Sequence, residues 1–128
     1  MPSRSAFAYA VLRVVPDIER EEFVNVGLIL FDRERRFLET RVAYDQTAVD
    51  ALRAGCDHAA IRRQLEQVEA IAAGTLATAP FATMSQSERF HWLTTPRSTV
   101  VQPGPIHGGT SDEPQATLDH LFEVLVRR

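Results

Sequence analysis

Hydrophobic residues fall along this chain in two regimes, short extended blocks first and helical spacing afterwards. Residues 7–15, FAYAVLRVV, are apolar on both faces of an extended chain, the pattern of a central strand covered on both sides. Pro16 and Asp17 are expected to end it. A charged connection, residues 18–22, leads to a second strand over 23–31. The polar break Asp32-Arg33-Glu34-Arg35 then predicts a hairpin into a third strand over 36–43. Glu39 and Arg41 share one face of that third strand, which puts it nearer the sheet edge.

The period then changes. Thr47 can cap a short helix that Gly55 stops. Asp57 can cap a longer one carrying Ile61, Leu65, Val68 and Ile71 at helical spacing, with Gly74 behind it. Ser85-Gln86-Ser87-Glu88 reads as a capping box for a helix through Phe90 and Leu93 that Pro96 ends. Residues 98–102 (STVVQ) read as a fourth strand, and PGPIHGGTSDEP as a glycine- and proline-rich loop. A last helix starts near Glu113 or Pro114 and carries Leu118, Leu121, Phe122 and Leu125. Grouped strands followed by grouped helices predict an α+β fold: a mostly antiparallel sheet of about four strands with helices packed on one face, residues 1–128 forming one domain.

The second strand carries an anomaly. In EEFVNVGLILFD, the lone asparagine of the chain, Asn25, stands two places before Gly27. Strict alternation puts Phe23, Asn25, Gly27, Ile29 and Phe31 on one face, and Val24, Val26, Leu28 and Leu30 on a cleaner core face. Arg13 is the odd polar residue of the first strand, and can lie on the side of Asn25 if the two strands are neighbours; the register is open. Asn25 is either a satisfied buried amide or part of a site. Gly27 marks close backbone approach or a bulge. Arg13 has Glu19, Glu21 or Glu22 as candidate ion-pair partners. The expectation is that Asn25 and Gly27 receive the PRST…GPIHGG segment, Gly27 by leaving room and Asn25 by bonding its backbone.

That segment is the second concentration of chemistry. It supplies the guanidinium of Arg97, the hydroxyls of Ser98 and Thr99, and the imidazole of His107 followed by two glycines. Glycine amides beside a forked cation can hold phosphate or carboxylate oxygens. The pattern is neither a phosphate-binding P-loop nor a dinucleotide fingerprint, and a structural turn explains it equally. His107 as a general base lacks a carboxylate nearby in sequence to orient it.

Composition narrows the classes. A net charge of −3 and a pI near 5.8 oppose broad attraction to nucleic acid or an anionic membrane. All 14 cations are arginine, a composition that coding bias explains more simply than recognition chemistry. Cys56 is alone, so no internal disulfide forms. His58, His91, His107 and His120 show no metal-ligand spacing, and those on helices, His58 and His120, are expected to be solvated; no metal and no cofactor is expected. The opening MPSRSAFAYAVLRVVP mimics a signal peptide, but Arg13 interrupts its apolar stretch, and no spanning segment is seen; a cytoplasmic protein is expected.

Three blocks together resemble a known family: YAVLRVVPDIEREEFVNVGLILFD, FHWLTTPRSTVVQPGPIHGG and the terminal DEPQATLDHLFEVLVRR. They are similar to the bacterial family catalogued as domain of unknown function 3037, over nearly the whole chain, the middle helices being least distinctive. The resemblance implies no catalytic residues, because that family has no established activity. It implies signature positions at Glu22, Asn25, Gly27, Arg97, Ser98, Gly104 and His107, and a protein partner, a HipA-like kinase-fold protein encoded beside such domains. Two functions stay open. One is a non-enzymatic binding or regulatory module acting with a protein partner, with a homo-oligomer also open. The other is a small enzyme or ligand-binding domain for an anionic small molecule, using Arg13, Asn25, Arg97 and His107 around one pocket.

Overall fold

The computed structural model describes residues 3–127. The chain runs β1 (Ser5–Asp17), β2 (Glu22–Asp32), β3 (Phe37–Val42), α1 (Gln46–Leu52), α2 (His58–Ala73), a 3₁₀ turn (Phe81–Thr83), α3 (Gln86–Thr94), β4 (Val101–Pro103), β5 (His107–Ser111) and α4 (Pro114–Leu125). The fold is α+β, and every strand pairing is antiparallel. The strands lie in the order β3-β2-β1-β4, with β5 also on β1. The central position of β1 and the edge position of β3 follow the sequence pattern. β1 runs on through Pro16 to Asp17, where an end was expected.

The sheet has a fifth strand, where the sequence suggested about four and a loop after residue 102. β4 and β5 lie in line along one edge of β1, β4 opposite Leu12–Val14 and β5 opposite Ser5–Tyr9. Gly108 and Gly109 hide β5 from propensity reasoning, since glycine weakens strands. The Phe7 ring lies over Gly109, where a Cβ would be 2.7 Å from its Cζ.

Helix ends follow local chemistry. Asp57 accepts from the Ala60 amide at 3.0 Å to start α2, and Gly74, at φ +75°, closes it in the left-handed conformation. Ser85 and Glu88 form the reciprocal capping box of α3. α1 begins two residues earlier than a Thr47 cap suggested, because Asp45 accepts from the Ala48 amide at 3.0 Å.

The largest departure from simple alternation is in β2. Leu12 pairs with Gly27 but Arg13 pairs with Asn25, so Val26 is one residue extra. This β-bulge turns Val26 and Gly27 toward the same face and shifts the phase of everything after them. Val24, Val26 and Ile29 therefore join one core, while Leu28 and Leu30 join the other. The expected single face of Val24, Val26, Leu28 and Leu30 does not exist. Gly27 is the residue that lets two consecutive positions face one way: a Cβ on it would sit 2.9 Å from the Arg41 carbonyl oxygen and 3.2 Å from Leu12 and Val42 side chains.

With an apolar supply on both faces, the sheet is covered on both. One core gathers Leu12, Val14, Val24, Val26 and Ile29 with Val49 of α1, Ile61, Leu65 and Ile71 of α2, and Phe90 and Leu93 of α3. The other gathers Leu28 and Leu30 with Leu118 and Phe122 of α4 and Val126 just beyond it. The expectation of helices on one face is corrected here: α4 lies alone on the opposite face, because the bulge sends Leu28 and Leu30 there.

Polar contacts fix α4 at both ends. At its start, the buried Ser111 hydroxyl bonds Thr117 and accepts from the Glu113 amide at 3.1 Å. Arg35 donates to the Asp112 carbonyl, and buried Asp32 accepts from the Ser5 hydroxyl and the Arg35 amide. At its end, the Asn25 side-chain amide donates to the Leu125 carbonyl oxygen at 3.1 Å. Midway, Arg41 of β3 pairs with Asp119. The expectation that Asn25 and Gly27 receive the PRST…GPIHGG segment is thus overturned. Asn25 receives the C-terminus of α4, and Gly27 makes room for β3 and β1.

Gly27→Ala is expected to destabilise the fold by about 1–3 kcal/mol, the cost of overpacking against backbone; urea unfolding with an unchanged slope measures it. Asn25→Ala is expected to lose about 1–3 kcal/mol by orphaning the Leu125 carbonyl. Asn25→Asp is expected to lose more, because it sets a carboxylate at the negative end of a helix. The order of the three denaturation midpoints, wild type above Ala above Asp, tests the contact.

Candidate functional site

The sequence candidates separate into one that opens on a cavity with its donors unused and several that are spent on structure. Arg13 leaves β1 on the α4 side of the sheet, between Asn25 on β2 and Gln102 on β4. Its guanidinium lies over the Phe23 ring, 4.0 Å from the centroid. It also lies close to Gly104, where a Cβ would be only 2.6 Å from Nη2. The glycine amide is itself held by the Val11 carbonyl at 2.7 Å. The cation thus packs on an aromatic ring and near bare backbone, contacts that suit a planar guanidinium.

Among the described residues the Arg13 guanidinium has neither a hydrogen bond nor an ion pair, and its Nε is buried. None of Glu19, Glu21 and Glu22 neutralises it; Glu22 pairs with Arg20 in the exposed turn. Arg13 lines a cavity of about 350 Å³ with Val15, Ile18, Glu21, Phe23, Ser98 and Gln102. Glu21 reaches it from a left-handed backbone, φ +57°, unusual for a residue other than glycine.

The remaining candidates lie elsewhere or do other work. Arg97 stacks on Trp92 at 4.5 Å and donates to the Trp92 and Thr95 carbonyls, closing the end of α3. His107 is exposed on β5, its ring 5.3 Å from that of its cross-strand neighbour Tyr9. Asn25 holds α4, and Gly27 holds the bulge. The structure therefore brings Arg13, Ser98 and Gly104 together and does not bring Arg97 or His107 to them. Gln102 escaped sequence reasoning, whereas Glu21, one of the three ion-pair candidates for Arg13, shares its cavity without pairing with it. Gln102 is the cross-strand partner of Arg13, a relation only the register supplies. Phe23 was legible on the face of Asn25, but its contact with Arg13 was not.

A second polar cluster joins the end of β3 to the helices. The Tyr44 hydroxyl meets His58 Nδ1 at 2.6 Å, and His58 Nε2 meets Asp50 at 2.9 Å. The His58 side chain is 18% exposed, so the solvated histidine expected on this helix is corrected: both ring nitrogens are engaged. Arg62 stacks on Tyr44 at 4.8 Å. The cluster ties β3, α1 and the start of α2 together. Asp50 and His58 are on different helices across the Gly55 turn, so no helical spacing announces them. Among the described residues, no His/Cys/Asp/Glu grouping could hold a metal ion. No helix there is long and apolar enough to cross a membrane.

Burial pushes the Tyr44 phenol above its ordinary value of 10.0, with Cys56 and Asp50 adding to the rise and the Arg62 guanidinium opposing it. A phenol that ionises later in the folded state stabilises fully below the unfolded pKa, and that contribution is lost as pH rises through the folded one. Tyr44 is expected to titrate late by ultraviolet absorbance, and Tyr44→Phe should remove that late step and flatten the alkaline loss of stability. A late step that persists in Tyr44→Phe would reassign it.

No curated protein and no solved structure matches the chain. A family model described as protein of unknown function DUF3037 matches residues 9–126. That span takes in β1 from Tyr9 through the whole of α4, with the bulge, the Arg13 cavity and the Asn25 contact inside it, and the chain belongs to this family.

Proposed function

We propose that this domain is a binding module that acts by docking a partner protein on the α4 side of its sheet. The observation that carries the reading is a contrast along one strand. On the three-helix side of β1, Ala10, Leu12 and Val14 are at most 1% exposed. On the α4 side, Phe7, Tyr9, Val11 and Arg13 stay half-buried, and neighbouring Phe23 is 43% exposed.

The geometry explains the contrast. A helix is about 10 Å across and strands lie about 4.8 Å apart, so one helix covers about two strands. α4 packs over β2 and β3. Its apolar neighbours on β1, Phe7, Tyr9 and Val11, close the core from one side only. The width of the strip over β1, β4 and β5 suits one more helix beside α4, and α4, short with a leucine and phenylalanine stripe, serves as the analogy for such a helix. Recognition by an apolar helix laid in a groove needs no catalytic machinery. The rim supports a partner rather than bulk solvent, with Ile18 and Ile106 also exposed. The HipA-like kinase-fold protein implied by the family resemblance is the first partner to try.

The reading is tested by placing a photo-crosslinking amino acid at Val11 and, as a control, at Glu66 on the outer side of α2. One protein of a native lysate should be captured from position 11 and not from position 66, and Phe23→Glu should reduce that capture at least tenfold. Equal capture from both positions would overturn the proposal. So would crosslinking to a second copy of the chain, which would make the face an assembly interface.

A further inference from the structure

We infer that the cavity beside Arg13 is a binding site for a monocarboxylate with an apolar body. Several features converge. The guanidinium packs on the Phe23 ring and close to Gly104. Its N–H groups meet no acceptor among the described residues, although a guanidinium carries five donors in a fork that matches a carboxylate. It borders a concave space of about 350 Å³, at the small end of the range for ligand sites. Half the other side chains there, Val15, Ile18 and Phe23, offer apolar surface, and Ser98 and Gln102 offer polar contacts.

Glu21 decides the charge of the ligand. With Arg13 it brings the formal charge of the cavity to zero, so a single carboxylate can pair with the guanidinium. A dianion such as phosphate or a dicarboxylate would set its second charge against Glu21 with no second cation from the lining. Arg20, the adjacent cation, is occupied by Glu22. Glu21 also offers an acceptor to a ligand N–H. A carboxylate, an apolar side chain and a nearby N–H are what an acylated apolar amino acid presents, and what the C-terminus of a peptide presents. The two share this chemistry. The inference does not require a docked helix, since the cavity and its donors belong to this chain alone.

The test is an NMR titration of the folded protein, following the backbone amides of Arg13, Gln102 and Ser98. The probes are N-acetyl-leucine, its C-terminal amide, succinate, and a short peptide ending in leucine with a free carboxylate. N-acetyl-leucine or the peptide should shift those amides saturably, with the amide and succinate at least tenfold weaker. A peptide that binds tenfold tighter than the free acid identifies a chain terminus as the source; the reverse identifies a small acid. Arg13→Gln should weaken binding at least tenfold. Gly104→Ala keeps the charge but pushes the guanidinium aside, and should weaken binding comparably with the spectrum otherwise folded. Equal binding of the amide or of succinate would overturn the inference. So would unchanged affinity in Gly104→Ala, saturation at other amides, or no shift up to the solubility of the ligands.

Discussion

The architecture depends on one irregularity, the extra residue at Val26. A strand that alternates strictly delivers its apolar residues to one face, or dilutes them over two. β2 does neither. Before the bulge it gives Val24 and Val26 to the three-helix layer; after it, Leu28 and Leu30 go to α4 while Ile29 continues the first core. Two neighbouring residues pointing the same way need more room than the pleat provides, and the missing side chain of Gly27 supplies it against the Arg41 carbonyl, Leu12 and Val42. The glycine is therefore a packing residue for which conformational freedom is secondary.

From this follows the unequal covering of the sheet. The three-helix layer buries Ala10, Leu12 and Val14 of β1, whereas α4 must secure its own position with a narrower apolar stripe. Its ends are tied instead by polar groups: Ser111, Arg35 and Asp32 at the start, Asn25 at the finish. Polar tethering at the ends adds to the apolar contacts with β2 and with Phe7, Tyr9 and Val11 of β1, and lets the helix sit off-centre, over β2 and β3. The half-open strip along β1 is a consequence of how α4 is fastened.

What the sequence allowed to be read, and what it concealed, divides along the same line. Local chemistry was legible: the Asp57 and Ser85 caps, the Gly74 stop and the hairpin after Asp32 each depend on residues within a few positions of one another. The fold class followed from the grouping of strands and helices. The bulge was legible only as an anomaly, since Gly27 marked its place but alternation could not reveal its phase. β5 was hidden because its pairing with Phe7 and Tyr9 rests on distant partners and not on the propensity of His107-Gly108-Gly109. The grouping of Arg13 with Phe23, Gln102 and Gly104 was hidden for the same reason, as was the engagement of His58 by Tyr44 and Asp50. Arg97 shows the opposite error: a residue with site-like chemistry in sequence that closes a helix through its own neighbours.

Arg13 and Asn25 make the separation of structure from function concrete. They are paired across the ladder, on the same face, within one turn of the same bulge. Asn25 finds the Leu125 carbonyl because α4 ends above it. Arg13 lies one strand further out, past the margin of α4, so the helix that accepts from the Asn25 amide does not reach it. It packs on the Phe23 ring and close to the backbone of Gly104, and its donors meet no acceptor among the described residues. A cation held by such contacts with its donors unused is partly ordered before any ligand arrives, and preorganisation of that kind lowers the cost of binding. The same displacement of α4 that leaves β1 half-covered therefore also leaves the charge of Arg13 without a partner among the described residues.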